Sequence, residues 1–457
     1  MLTIGLLLLF FVGFFATCNV ALRSSLTEKI GFAFPVGVGI VTFAMMFMDW
    51  MGMALTATSI LGCCLVLLVG LAALLFPRKT ALLGALQPTI QIKKLNLVWL
   101  LLLVVLGWVA YGNFTKCMYF PTYDRDSMAA FDTVGFLIAK EHTLSALSVF
   151  QGDYMTAMHG AGSTITYTPM VQLSYAFVYS LGAETSKTIP AFMFLSFLVG
   201  FYGLIARQIG HTAAITTTLF VAFTPEMLSF SSLSGTNVMH AGLASTGLIY
   251  TVLWFTKGDK QHLYFATLLL AINVWCRAEG VAFIGAAGLL VLIRLLKQKD
   301  YKLMAFPIMA LLPAIIWALF TKTNQMTSES IVITHLFWDA TKADTIWNYA
   351  SDLFCNTQYY GWTFTLGLLA LLANAYFMVK RCDNVALAGS LLLTVVLYFI
   401  ILYQIDYKWD SMENVLRYSA KRYLFSFVPV VWYFVASSHL VRNAFSYIDK
   451  TLAYPSE

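Results

Sequence analysis

Apolar runs of about 16 to 24 residues recur from Met1 to about Arg442, each bounded by a short charged cluster. A helix rises about 1.5 Å per residue, so about 20 apolar residues cross the roughly 30 Å hydrocarbon core of a bilayer. Backbone in hydrocarbon must satisfy its own hydrogen bonds, so a chain of such runs folds as crossing helices. The charge content agrees: Asp, Glu, Lys and Arg make up 11% of the 457 residues, against roughly 25% in a soluble domain. A water-soluble enzyme of several domains is excluded. The net charge of +6 sits in short loops between the runs and forms no basic patch, which argues against a nucleic-acid partner.

The runs fall near 1–22, 30–48, 53–76, 97–112, 188–206, 212–228, 238–256, 262–276, 280–296, 303–321, 360–379, 384–403 and 423–441. They predict an all-α polytopic membrane protein with about thirteen transmembrane helices. The segment 168–182 is also apolar, but as a crossing it would set the later basic clusters alternately on the wrong side. It is expected to be a juxtamembrane helix. With that choice the inner loops hold 17 basic and 6 acidic residues, a balance of +11, and the outer side is left with −5. This positive-inside bias puts the N-terminus outside, the C-terminus in the cytoplasm and the long loops 113–187, 322–359 and 404–422 outside. Residues 1–22 begin apolar at once, with neither a basic leader region nor a small-residue cleavage site, and are expected to stay as a span. No soluble domain is expected on either side of the spans. The seven cysteines show no CxxC or Cys/His zinc spacing. Cys117 and Cys355 are the two assigned to long outer loops, where a disulfide would need Cα atoms within about 7 Å.

The outer loops are the places where a polar site avoids burying charge in hydrocarbon. The first carries Asp124, Arg125, Asp126 and Asp132 within nine residues. A carboxylate just above the membrane surface is placed to take a proton from a hydroxyl nucleophile, and Asp124 and Asp126 together could share a divalent cation, the one cofactor candidate. The plainer alternative has Asp126 capping a helix that starts at Ser127 or Met128. His159, later in this loop, is either a surface residue or a hydrogen-bond donor to phosphate or sugar. Arg277 and Glu279 occupy a tight hairpin between two apolar runs, and residues two apart on a helix do not face each other. A turn presenting both charges outward is therefore expected, as interfacial anchors or, for Arg277, as a ligand for a carrier phosphate. The last outer loop ends with Arg417, Lys421 and Arg422, where Arg417 and Lys421 are like charges one turn apart. An anionic ligand, or the headgroup of a membrane lipid, would offset their repulsion.

Four pieces in fixed order, DSMAAFDTVGFLIAK (126–140), YTPMVQLSYAFVYSLG (167–182), WCRAEGVAF (275–283) and RYSAKRYLFSFVP (417–429), resemble the pattern of C-type (GT-C) membrane glycosyltransferases, their bacterial members in particular. Phe131 stands where that pattern has Trp, and Thr168 precedes Pro169. The shared module of these enzymes is a span, a long outer loop with juxtamembrane helices, then six more spans. Here that order corresponds to 97–322, preceded by three additional spans in 1–96 and followed by an outer loop and three spans in 323–457. The resemblance implies an inverting transfer of a sugar from a polyprenyl-phosphate carrier to a lipid, glycan or protein acceptor. It also implies a bacterial inner membrane with the active site on the periplasmic face. By motif position Asp126 would be the general base and Asp124 the runner-up, with Arg277, Glu279, Arg417, Lys421, Arg422 and His159 on the substrate side. No GxGxxG or Walker motif is present, in keeping with a lipid-phosphate donor in place of a nucleotide.

Two other classes compete. A ligase or polymerase of surface glycans would use similar groups. A transporter or flippase of a lipid-linked saccharide would place ionisable residues near the bilayer midplane and show internal repeats. The runs hold almost no charge, and no repeat relates the halves. His240 and Asn273 are the polar exceptions, read as hydrogen-bonded contacts between helices.

Overall fold

Ten helices among the described residues are long and apolar enough to cross a membrane. The computed structural model describes residues 1–80, 96–124, 126–148, 167–326, 332–334, 337–407 and 411–451. In chain order its helices are α1 Leu2–Val20, α2 Leu26–Trp50, α3 Ala57–Leu75, α4 Leu97–Tyr119, α5 Thr133–Glu141, α6 Met170–Ser180 and α7 Thr188–Gln208. They continue with α8 His211–Phe223, α9 Pro225–Phe230, α10 Asn237–Lys257, α11 Lys260–Cys276, α12 Val281–Gln298, α13 Ala305–Thr323 and α14 Ala340–Cys355. The last are α15 Thr357–Tyr360, α16 Thr363–Arg381, α17 Val385–Gln404, α18 Met412–Phe425, α19 Val428–Ser437 and α20 His439–Thr451. One short antiparallel ladder pairs β1 Val332–Thr334 with β2 Ile405–Tyr407 and ties the second long loop to the third.

Helix α2 is the spine of the N-terminal half. A capping box starts it: Ser25 Oγ accepts from Glu28 N (3.2 Å), and Glu28 Oε2 accepts from Ser25 N (2.7 Å). It packs against α1, α6, α7 and α11, so the first spans are part of the bundle. The crossing with α7 is a backbone contact, because a Cβ on Gly31 would lie 2.0 Å from Gly200 N. Small residues at such crossings let helices approach when no hydrophobic effect drives them together. A Gly31→Leu variant must push the two helices apart and is expected to lose about 1–3 kcal/mol or more. Thermal unfolding of detergent-purified protein checks this; an unchanged melting temperature would mean that the crossing tolerates separation.

Asp49, near the far end of α2, fastens the first long loop: it accepts from Thr143 Oγ1 (2.8 Å), Leu144 N (2.8 Å) and Ser145 N (2.9 Å). Its other end holds Glu28, about 30 Å away along the axis. The bundle therefore has an Asp49 end and a Glu28 end, the ends read from the sequence as outer and inner.

Three expected spans take a different form. The run 212–228 is a 13-residue helix that stops at Phe223, with Pro225 opening the separate α9. The run 262–276 is the 17-residue α11. The run 423–441 is in pieces: α18 reaches Phe425, the 10-residue α19 comes next with Pro429 in its first turn, and an extended Ser438 separates it from α20. Proline has no N–H to donate and fixes φ, so it is favoured in the first turn of a helix, where Pro225 and Pro429 stand. The apolar segment 168–182 forms α6, whose 11 residues span only about 16 Å. It is buried against α5 and α2 instead of lying on a surface.

Candidate functional site

The chain leaves α4 at Tyr119 and is held at once. Buried Lys187 donates to Phe120 O (2.5 Å) and reaches Pro121 O (3.5 Å), and burial holds its amine below the ordinary lysine range. Thr122 Oγ1 donates to Asp132 Oδ2 (3.2 Å), whose Oδ1 accepts from Tyr179 OH (2.6 Å). Burial, with this bond to a carboxylate, pushes the Tyr179 phenol up to about 12. Ser234 stands within 3.2 Å of Ser186 and 3.5 Å of Thr122. The segment before Asp124 is thus pinned from three separate parts of the chain, Lys187, Asp132 and Ser234, which leaves the acidic residues after it little freedom of position.

Beyond Asp126 the chain enters a π-helical turn, Ser127–Asp132, a form found often at functional sites. Asp124 does the local work: its Oδ2 accepts from Ser127 N (3.2 Å) and Ser127 Oγ (3.3 Å). Asp126 makes no capping bond, contrary to the plainer sequence reading. Its carboxylate, half exposed, instead pairs with the guanidinium of Arg422 from α18. Residues 296 positions apart meet there.

The preceding residue on α18 forms a second ion pair. Lys421 Nζ lies 3.4 Å from Glu226 Oε1, with Glu226 almost fully buried. Aromatic rings floor both pairs: the ring of Phe230 is 5.7 Å from Lys421 and 5.9 Å from Arg422, and that of Tyr359 is 5.5 Å from Lys421. Such faces attract cations and keep water off one side. The Tyr360 hydroxyl donates to the backbone carbonyl of Lys421 and fixes this turn of α18. Arg417 is exposed and, among the described residues, forms no ion pair. The repulsion expected between Arg417 and Lys421 is already answered for Lys421 by a carboxylate of the protein itself.

Across the buried seam Ser231–Ser234, just after α9, stands a third group. Arg277 Nη1 donates to Asn237 Oδ1 (2.8 Å) and Arg277 Nη2 to Glu279 Oε1 (3.0 Å). Arg277 is only 7% exposed and the Glu279 side chain 22%, so the turn does not present the arginine outward, contrary to the sequence expectation. The rule for residues two apart fails because Arg277 is extended, before the 3-10 turn Ala278–Gly280 begins. His240 Nδ1 and Asn273 Oδ1 lie 2.7 Å apart behind it, the interhelical contact expected of them. Among the described residues Arg277 Nε, Glu279 Oε2, His240 Nε2 and Asn273 Nδ2 are buried without partners. Unspent donors and acceptors of this kind suit hydroxyl groups or water.

Glu226 is the residue that sequence reasoning missed. Its signal was an acidic residue just after Pro225 in an otherwise apolar run, where a carboxylate in hydrocarbon requires a partner. Cys117 also differs from expectation: it lies inside α4, its thiol 3.8 Å from Ser231 O. The side chain of Cys355, like Arg125 and His159, lies outside the described residues. Among the described residues no third carboxylate, histidine or cysteine joins Asp124 and Asp126 in a metal-ligand group.

Fold and site together define a polytopic α-helical membrane protein with the ion pairs Asp126–Arg422, Glu226–Lys421 and Arg277–Glu279 toward the Asp49 end of the bundle. Compared with protein-family models, with curated proteins and with solved structures, the chain matches none.

Proposed function

We propose that this protein is a membrane glycosyltransferase of the C-type kind, moving a sugar from a polyprenyl-phosphate carrier to a lipid, glycan or protein acceptor at the outer face of a bacterial inner membrane. The observation that carries the reading is the meeting of Asp126 with Arg422 beside Lys421. An acid and a phosphate-binding pair, drawn from the first and last outer loops, stand side by side as transfer from a lipid phosphate requires. Asp126 takes the proton of the acceptor hydroxyl as that oxygen attacks the anomeric carbon. Arg422 and Lys421 hold the carrier phosphate as it leaves, with Arg422 offering the planar fork that matches phosphate. Arg277 and Glu279, across the seam, face the sugar hydroxyls. Attack opposite the leaving group inverts the anomeric centre. The ten long helices supply ten crossings, and α8, α11 and the segmented run 423–441 that contains α19 the remaining three of about thirteen, with the N-terminus outside and the C-terminus in the cytoplasm.

Titration of detergent-purified protein with polyprenyl phosphate tests the reading. Arg422→Ala is expected to weaken binding about tenfold or more, each charge-assisted hydrogen bond to phosphate being worth on the order of 1.5–3 kcal/mol. Arg417→Ala is expected to leave it within about twofold. Equal binding by wild type and Arg422→Ala would remove the phosphate from this site and the reading with it.

A further inference from the structure

The two cations assigned to the carrier phosphate are not waiting for it: each already holds a carboxylate. Arg422 is paired with Asp126 and Lys421 with Glu226. The two carboxylates differ in setting. Asp126 is 49% exposed and remains solvated if its partner leaves, whereas Glu226 is 7% exposed. The groups facing Glu226 are Lys421 and Arg422 from α18 and Tyr360 from α15, and Tyr359 stacks on Lys421 from the other side. Among the described residues two atoms here are buried and unpartnered, Glu226 Oε2 and Arg422 Nε. The first is spare capacity for a proton, the second for an anion's oxygen.

We infer that Glu226 and Asp126 are internal stand-ins for the carrier phosphate, and that the phosphate monoester left once the sugar has gone exchanges both ion pairs at once, loading a proton onto Glu226. This inference rests on the proposed function and adds a release step to that site: the protein's own carboxylates compete with the spent carrier for Lys421 and Arg422 and help to expel it. The charges balance. A phosphate dianion takes over Lys421 and Arg422, Glu226 loses its counter-ion while still buried and takes a proton from solvent, and Asp126 stays ionised in water. A buried carboxylate with no cation beside it neutralises because burial penalises its charged form. The exchange also lowers the apparent affinity for phosphate, since only the fraction of molecules with open pairs is ready to bind.

Calorimetric titration of the full-length protein with a short-chain polyprenyl phosphate, at pH 7.5 in two buffers of different ionisation enthalpy, counts the proton. The ligand is then almost entirely dianionic, its second pKa being about 6. Wild type is expected to take up a substantial fraction of one proton on binding. Glu226→Gln is expected to bind about three- to tenfold more tightly with that uptake abolished. Either an unchanged affinity or an unchanged proton count in Glu226→Gln overturns the inference. Should that variant not fold, the wild-type count decides by itself, and binding without uptake overturns it. Phosphatidylglycerol, a singly charged diester, is titrated in parallel. Equal proton uptake at equal or higher affinity would make this a lipid-headgroup site and sink the inference. Failure of the proposed function reads differently: wild type then binds no polyprenyl phosphate, or binds it equally well after Arg422→Ala.

Discussion

If the proposed transfer runs on Asp126, replacing Asp126 by Asn is expected to lower sugar transfer by about 10² or more while binding of the carrier survives. Asn keeps the size of the side chain and most of its hydrogen bonding but loses proton affinity, and a general base contributes typically 10²–10⁴ in rate. Asp126 is the residue to choose because Asp124 is occupied by Ser127 N and Oγ, while the partner of Asp126 comes from the other end of the chain. The substitution also takes a counter-ion from Arg422, so carrier binding is expected to hold or tighten. Steady-state turnover and carrier titration on the same preparation separate the two effects. Near wild-type turnover would take Asp126 out of the mechanism and move the role to Asp124.

The second large effect is on stability and arises at the Glu28 end. Glu28 is fully buried, yet both its oxygens are used. Arg207 Nε lies 2.8 Å from Oε2 and Nη2 2.9 Å from Oε1, Ser25 N donates to Oε2, and Tyr250 OH donates to Oε1. His262 Nε2 stands 3.2 Å from Arg207 Nη1 and extends the network to α11. Arg207→Met takes from the buried Glu28 carboxylate the cation it is bonded to, and breaking a buried pair from one side costs about 3–5 kcal/mol. The double variant Glu28→Leu/Arg207→Met should lose less than Arg207→Met alone, because it removes both partners of the pair together. Denaturation of detergent-purified proteins measures both, and an Arg207→Met variant as stable as wild type would contradict the account of this network.

Legibility in the sequence depends on how local each property is. Helix positions are set by runs of apolar residues, a local quantity, so Leu2–Val20 or Val385–Gln404 could be read within a few residues. Breaks inside runs were harder, since Pro225 and Pro429 sit among apolar neighbours that hide their effect on average hydropathy. Pairing is not local at all. Glu28 and Lys29 read as inner-loop charges, but they lie in the first turn of α2 and are fully buried, Glu28 against Arg207 and Lys29 against the carbonyls of Leu22 and Ser24. Glu226 belongs to the run 212–228 and Lys421 to the last outer loop, and only the fold brings them to 3.4 Å. The sequence could therefore nominate Asp126, Arg277, Lys421 and Arg422. It could not say that Arg277 is spent on Glu279, or that Arg422, and not Arg417, reaches the acid.

The central claim is that this chain breaks the bond between a sugar and a polyprenyl phosphate. Purified protein incubated with a panel of polyprenyl-phosphate sugars, with Asp126→Asn in parallel, measures it as free polyprenyl phosphate. The account predicts release from at least one donor by wild type, reduced about 10² or more by the substitution. Binding of every donor with release of carrier from none, as a transporter or flippase would give, would contradict it.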